Sequence, residues 1–152
     1  MFDAASASAQ PSRCVPPHLP APPKGHTIVV GAGKASAAMA KALDENWRGD
    51  VDDLVVTRYG YSAPCCRIEI IEAAHPVPDA ARVTAAQRIL ECVRGITPDD
   101  LVVCLTSGGG SALLTRDSPN TRCAAHRHRA ALEGRPSVRR ANSVRLGVKR
   151  WD

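Results

Sequence analysis

The stretch LVVCLTSGGGSALL, residues 101–114, decides how this chain folds. Leu101 to Leu105 are apolar on successive residues, which suits a strand buried on both faces, and the run then breaks into Gly108-Gly109-Gly110 between Ser107 and Ser111. Three bare residues after a strand allow positive φ and let several backbone N–H groups converge on one anion, with two serine hydroxyls as further donors. A following helix N-terminus would add partial positive charge. A plain flexible turn needs neither the buried strand nor the flanking serines. Ser107, Gly108, Gly109, Gly110 and Ser111 are therefore a candidate phosphate loop.

Working back toward the N-terminus, the same alternation recurs. HTIVV (26–30) reads as a buried strand, Gly31-Ala32-Gly33 turns it, and a helix is expected from about Lys34 to Trp47 with Ala35, Met39, Leu43 and Trp47 on one face. DLVVT (53–57) and RIEIIEA (67–73) are strand candidates. Pro78-Asp79 opens a second helix whose Val83, Ala86, Leu90 and Val93 share a face, and Thr97-Pro98-Asp99-Asp100 turns into the last strand. Strands alternating with helices at this spacing predict an α/β fold: a three-layer, Rossmann-like domain with a mainly parallel sheet, incomplete at its C-terminal end. Ligands of such sheets sit at the carboxyl ends of the strands, where both glycine turns lie.

The expected organisation is a lead-in over 1–25, an α/β domain over 26–115 and a basic tail over 116–152. FDAASASAQ is Ala-rich and fits a short helix, whereas residues 11–23 hold six prolines and are expected to drape over the surface without a regular element. Residues 1–115 carry 10 Lys/Arg against 12 Asp/Glu, and residues 116–152 carry 10 against 3. The basic character therefore belongs to the tail, which has nine arginines, five residues of the Val, Leu, Ile, Met and Phe set, and no helical or strand period. Disorder is the default expectation for such a composition. Cysteines 14, 65, 66, 92, 104 and 123 form no C-x-x-C pair, and Cys104 falls within a buried strand, which favours a reducing compartment. The N-terminus lacks the layout of a secretory signal, and no apolar run approaches the roughly 20 residues of a membrane span, so a cytoplasmic protein is expected.

Individual residues carry alternatives. GAGKAS (31–36) begins like the dinucleotide fingerprint, but Ser36 stands where the third glycine belongs, and the P-loop spacing is absent. Lys34 at a helix start opposes the helix dipole, which makes it a candidate to meet a phosphate or carboxylate; the plain alternative is a solvated surface lysine. Gly31 and Gly33 shape that turn. His75 and Asp79 flank two prolines at the same edge of the sheet; a packed histidine and, better for Asp79, a helix cap are the structural readings. Arg58 ends a strand and could meet a carboxylate or be an exposed loop residue. His126 and His128 have no partner spaced for a metal site.

Taken in order, GAGKASAAMA, VVTRYGY, IEAAHPVPD and DDLVVCLTSGGGSALL resemble the N-terminal domain of the class II glycerate 2-kinases, the group with a MOFRL C-terminal domain whose members have also been labelled hydroxypyruvate reductases. FDAA and HLPAPPKG in the lead-in fit as well, so the resemblance covers about residues 2–114. It implies ATP-dependent phosphorylation of D-glycerate at its 2-hydroxyl to give 2-phosphoglycerate, with Mg²⁺. Lys34 would neutralise charge on the transferring phosphoryl group or the substrate carboxylate, and Ser107 to Ser111 would cradle phosphate. Phosphoryl transfer needs positioning and charge stabilisation more than a nucleophile, which suits these residues.

Members of that family continue through more of the first domain into a second one, with the active site in the cleft between them. Relative to them the chain is truncated, and low or absent activity is expected of it alone. An Arg-, Ala- and Ser-rich stretch without a core is what a GC-rich gene yields out of frame, so a frameshift near Thr115 is expected; Asn142-Ser143-Val144-Arg145 faintly resembles a downstream family motif. Two other functions compete. An NAD(P)-dependent hydroxypyruvate reductase fits the GAG turn, but Ser36 and the Thr57-Arg58 pair, where a ribose-binding acid belongs, count against it. A nucleic-acid binder acting through the tail fits the charge, yet the tail has one aromatic, Trp151, and no binding motif.

Overall fold

A computed structural model describes residues 2–51, 53–74, 80–107 and 144–149. Five strands form one sheet: β1 (Thr27–Ala32), β2 (Leu54–Arg58), β3 (Glu69–Ala73), β4 (Leu101–Ser107) and β5 (Val144–Lys149), in the spatial order β3-β2-β1-β4-β5. The first four are parallel, with Val29 opposite Val103 and Val55 opposite Ile70, and β5 runs antiparallel on β4. The mainly parallel α/β architecture expected from the alternating pattern is the one observed.

Helices α3 (Ser36–Asn46) and α4 (Ala80–Cys92) cover opposite faces. Side chains alternate across a strand, so β1 sends Val29 into the layer of Met39, Leu43 and Val55, and Val30 into the layer of Val56, Ala85 and Ile89. β1, β2 and β4 are therefore apolar on successive residues because each face meets a helix. In β4 the split is uneven: Leu101, Val103 and Leu105 are buried, while Val102 and Cys104 are only partly covered.

Two sequence expectations need correction. The proline-rich lead-in is not wholly irregular: α1 (Phe2–Ser8) is followed by a one-turn helix α2 (Pro11–Cys14) and a 3₁₀ turn (Pro16–His18). Pro11 sits at the first helical position, where its missing N–H costs nothing. Val15 is 1% exposed and packs with α3, which anchors the lead-in by about 2 kcal/mol of apolar burial. The buried face of α4 is also not the expected one. Arg82, Ala85, Ala86 and Ile89 turn inward, whereas Leu90 is 42% exposed. Two overlapping helical stripes were available, and the small Ala85 and Ala86 side chains let the helix lie close to β2 and β3.

Within the tail, residues 144–149 form β5, and Val144, Leu146 and Val148 alternate there with Arg145, Gly147 and Lys149, a strand period that the expectation for the tail had overlooked. Its ladder uses backbone groups, which any proline-free stretch can offer. His75, Pro78, Asp79, Gly108, Gly109, Gly110, Ser111 and the remainder of the tail lie outside the described residues.

Candidate functional site

The chain leaves β1 for one face of the sheet, toward α3, and reaches β4 from the other face, through α4. Adjacent parallel strands whose connections part in this way define a switch point, and the crevice at their carboxyl ends is where open α/β sheets bind ligands. The β1–α3 turn and Ser107 stand on its two sides.

The turn is fixed by hydroxyls and backbone groups of the two strands flanking β1, β2 and β4. The Gly33 N–H donates to the Val56 carbonyl at 3.1 Å, and the buried Thr57 hydroxyl donates to the Gly33 carbonyl at 3.1 Å. On the other side, the Ala35 N–H donates to Ser107 Oγ at 3.1 Å, and the buried Ser36 hydroxyl donates to the Leu105 carbonyl at 3.1 Å. Gly33 has φ +139°, a conformation open essentially to glycine alone, and a Cβ there would strike the Ser107 hydroxyl. A Cβ on Gly31 would strike the Leu105 carbonyl, so both glycines exist to let β1 and β4 close together. Ser36, out of place in a dinucleotide fingerprint, is part of this tie.

Lys34 lies between the two pinned residues and is exposed, one residue ahead of the N-cap of α3. A cation here faces the partial positive end of the helix, which stabilises a charge distribution only when an anion joins it. Arg58 closes β2 beside Thr57, and its guanidinium lies over the Tyr61 ring, 5.4 Å from the centroid. The structure thus brings Gly31, Gly33, Lys34, Arg58 and Ser107 to one edge. Thr57, Ser36 and Tyr61 were missed as parts of the site; a hydroxyl residue ending a buried strand is the signal that could have pointed to Thr57.

A cleft of about 510 Å³ opens at the opposite edge, lined by His26, Asp50, Asp53, Arg67, Arg94 and Asp100 among others. Two of its charged groups are already committed. Arg67 pairs with Asp44 at 2.8 Å and also donates to the Gly49 carbonyl. Asp100 accepts the His26 N–H at 2.7 Å and both donors of Thr97. Size does not make this cleft the site.

Three described cysteines are poorly suited to thiolate chemistry. Burial pushes the Cys65 and Cys92 thiols up to about 11, reinforced by Asp44 and Asp53 respectively, and burial also raises Cys104, so none is an activated thiolate near neutral pH. Among the described residues no cluster of three or more His, Cys, Asp or Glu is placed to hold a metal ion. No described helix is long and apolar enough to cross a membrane.

Fold and turn together define a switch-point α/β domain with a glycine-shaped, lysine-bearing turn at its carboxyl edge. Residues 1–145 match the family described as "Domain of unknown function (DUF4147)", and the chain belongs to it. It is 57% identical over 115 residues to an Agrobacterium vitis protein named, provisionally, as a hydroxypyruvate reductase, covering 75% of this chain and 26% of that one. It is 42% identical over 105 residues to the D-glycerate 2-kinase of Thermotoga maritima, covering 68% and 25% respectively. A crystal structure of glycerate kinase from Thermotoga maritima matches with a TM-score of 0.74 at 33% identity, over 86% of this chain and 33% of the other. The chain spans about a quarter to a third of these relatives' lengths.

Proposed function

We propose that the chain forms part of an ATP-dependent kinase that phosphorylates the 2-hydroxyl of D-glycerate. The γ-phosphoryl group of ATP passes to the 2-oxygen, the hydroxyl proton leaves, and ADP and 2-phosphoglycerate result. The observation that carries this reading is the placement of Lys34 at the tip of a turn held from both sides at the switch point. Held there, Lys34 neutralises charge on the phosphoryl group or the substrate carboxylate without reorganising, the main demand of phosphoryl transfer. Ser107 would position the turn through Ala35, and Gly108 to Ser111 would cradle phosphate. His75, Asp79 and Arg58 are accessory groups in this reading.

The donor set fits a nucleotide phosphate. Mg²⁺ normally keeps several waters and binds through phosphates plus one or two carboxylates, so it needs no cage among the described residues. When bound it would neutralise phosphate charge. A cytoplasmic location belongs to the same proposal.

Because the chain covers so little of its relatives, we expect 152 residues alone to bind small anions but to turn over little substrate. Incubation with ATP and D-glycerate, followed by assay for 2-phosphoglycerate, tests this; steady turnover would overturn it. Lys34→Ala is expected to weaken anion binding at least about tenfold, the worth of one charge-assisted hydrogen bond.

The relative's reductase name gives a second reading, NAD(P)-dependent reduction of hydroxypyruvate. Against it, the second strand closes with Thr57 and Arg58, the Thr57 hydroxyl is turned to Gly33, and no acid stands there for a ribose. Oxidation of a reduced nicotinamide on adding hydroxypyruvate would revive it.

The segment beyond Thr115 is proposed to be read in another frame. The nucleotide sequence around codon 115, translated in three frames, decides: a frame that continues the family's sequence supports this, and none doing so favours a genuine basic tail, whose salt-sensitive binding to nucleic acid becomes the next assay.

A further inference from the structure

Three arginines of the described sheet and helices are held in two different ways. Arg88 gives two N–H groups to the Glu69 carboxylate at 2.8 and 2.6 Å, and Arg67 gives its Nε–H to Asp44 at 2.8 Å and its remaining donors to the Gly49, Asp44 and Trp47 carbonyls. The Arg58 guanidinium lies over the Tyr61 ring, 5.4 Å from its centroid, and no described carboxylate forms an ion pair with it. The nearest acid along β3, Glu72, instead accepts the Gly60 N–H at 2.7 Å. An arginine held over a ring rather than by an acid keeps its donors for a carboxylate or phosphate, which a planar guanidinium takes in two parallel hydrogen bonds.

The grip is built into a tight turn. The Tyr61 N–H donates to the Arg58 carbonyl at 3.0 Å, the Tyr59 N–H donates to the Ala73 carbonyl at 3.3 Å, and Gly60 takes φ +77°. Tyr61 is 47% exposed, so packing into a core does not account for its position. Arg58 follows Thr57, whose hydroxyl holds the Gly33 turn, so the arm and Lys34 belong to one edge.

We propose that Tyr61 is a positioning residue: its ring holds the Arg58 guanidinium ready to bind a small oxyanion at the switch-point edge, alongside Lys34. The oxyanion is a carboxylate or a phosphate, and the inference rests on the kinase reading only in expecting both in one ligand pair.

The test uses the whole chain, isotopically labelled, at low ionic strength. D-glycerate and, separately, inorganic phosphate are titrated while the Arg58 side-chain Nε–H and the Gly33 and Lys34 amides are followed by NMR. Saturable shifts at Arg58 with D-glycerate assign it a carboxylate, and shifts with phosphate alone assign it a phosphate; either supports the inference. Tyr61→Ala is expected to weaken the dissociation constant about two- to five-fold, the worth of a cation–π contact at an exposed site, with an unchanged melting temperature, and Tyr61→Phe to restore it. Arg58→Ala should remove the response. If Tyr61→Ala binds as the wild type does, the inference alone is overturned. If the wild-type chain shifts with neither probe, the kinase reading fails, and this inference falls with it.

Discussion

The two edges of the sheet treat charge in opposite ways. At the amino edge, carboxylates staple the chain together. Asp100 ties the start of β1 to the turn before β4, and Asp44 receives the Cys66 N–H and Arg67 where α3 approaches β3. At the carboxyl edge the ties of the β1–α3 turn are made by neutral groups, Thr57, Ser36, Ser107 and bare glycine; the one carboxylate tie described nearby, Glu72 to the Gly60 N–H, leaves the cations Lys34 and Arg58 without carboxylates among the described residues. A charge already paired is structure, whereas a charge placed by neutral neighbours is available for a ligand. That contrast, rather than the cleft at the amino edge, marks the carboxyl edge as the candidate site.

The contrast breaks first at Gly33. Gly33→Ala combines a φ of +139° with a Cβ that strikes the Ser107 hydroxyl, so a loss of about 3 kcal/mol in chemical denaturation is expected, together with loss of anion binding. Stability within about 0.5 kcal/mol of wild type would show that the turn is not tied as described. The amino edge responds next. Arg67→Ala leaves the Asp44 carboxylate, 5% exposed, without its guanidinium; with Arg67 itself a third exposed, about 2 kcal/mol is expected, with anion binding untouched. That split between stability and binding is the comparison in one measurement.

Ser107→Ala should cost about 1 kcal/mol by stranding the Ala35 N–H, and it should also weaken binding by loosening the Lys34 turn. The smallest effect belongs to Asp100. Hydrogen bonds from Thr97 and His26 hold its carboxyl down to about 2 from an ordinary 3.8. Its folded-state value is depressed, so its contribution is present above the unfolded value and is lost as pH falls from about 4 through about 2. Urea melts of wild type and Asp100→Ala should therefore differ near neutrality and converge below pH 2; a constant gap would mean the staple is not ionic. Asp44 follows the same sign: burial raises its carboxyl, and the Cys66 N–H and Arg67 more than offset that, leaving it below its usual value.

Much of this was legible in the chain. Leu101 to Leu105 declared a strand covered on both faces because successive apolar residues have no other use there, and Gly31-Ala32-Gly33 before an alanine-rich stretch declared a strand–turn–helix. The stripe of Met39 and Leu43 had one reading and was right. The stripe on α4 had two, and alanine is too small to break the tie by hydrophobicity alone, which is why Arg82 rather than Leu90 is buried. For the site, Lys34 stood out because a lysine at a helix start contradicts a local rule. Tyr61 broke no local rule, and Thr57 offered only a hydroxyl near the end of a buried strand, so the sequence alone did not mark them as site residues.

The sequence by itself determined the alternation of strands and helices and the need for bare backbone after β1, because periodicity and φ are local properties. Only the tertiary structure decided the order β3-β2-β1-β4-β5, which sets Ser107 against Ala35 across 72 residues of chain and Thr57 against Gly33 across 24. Strand order depends on which faces the helices cover and on long-range ladders, and no local pattern carries that information.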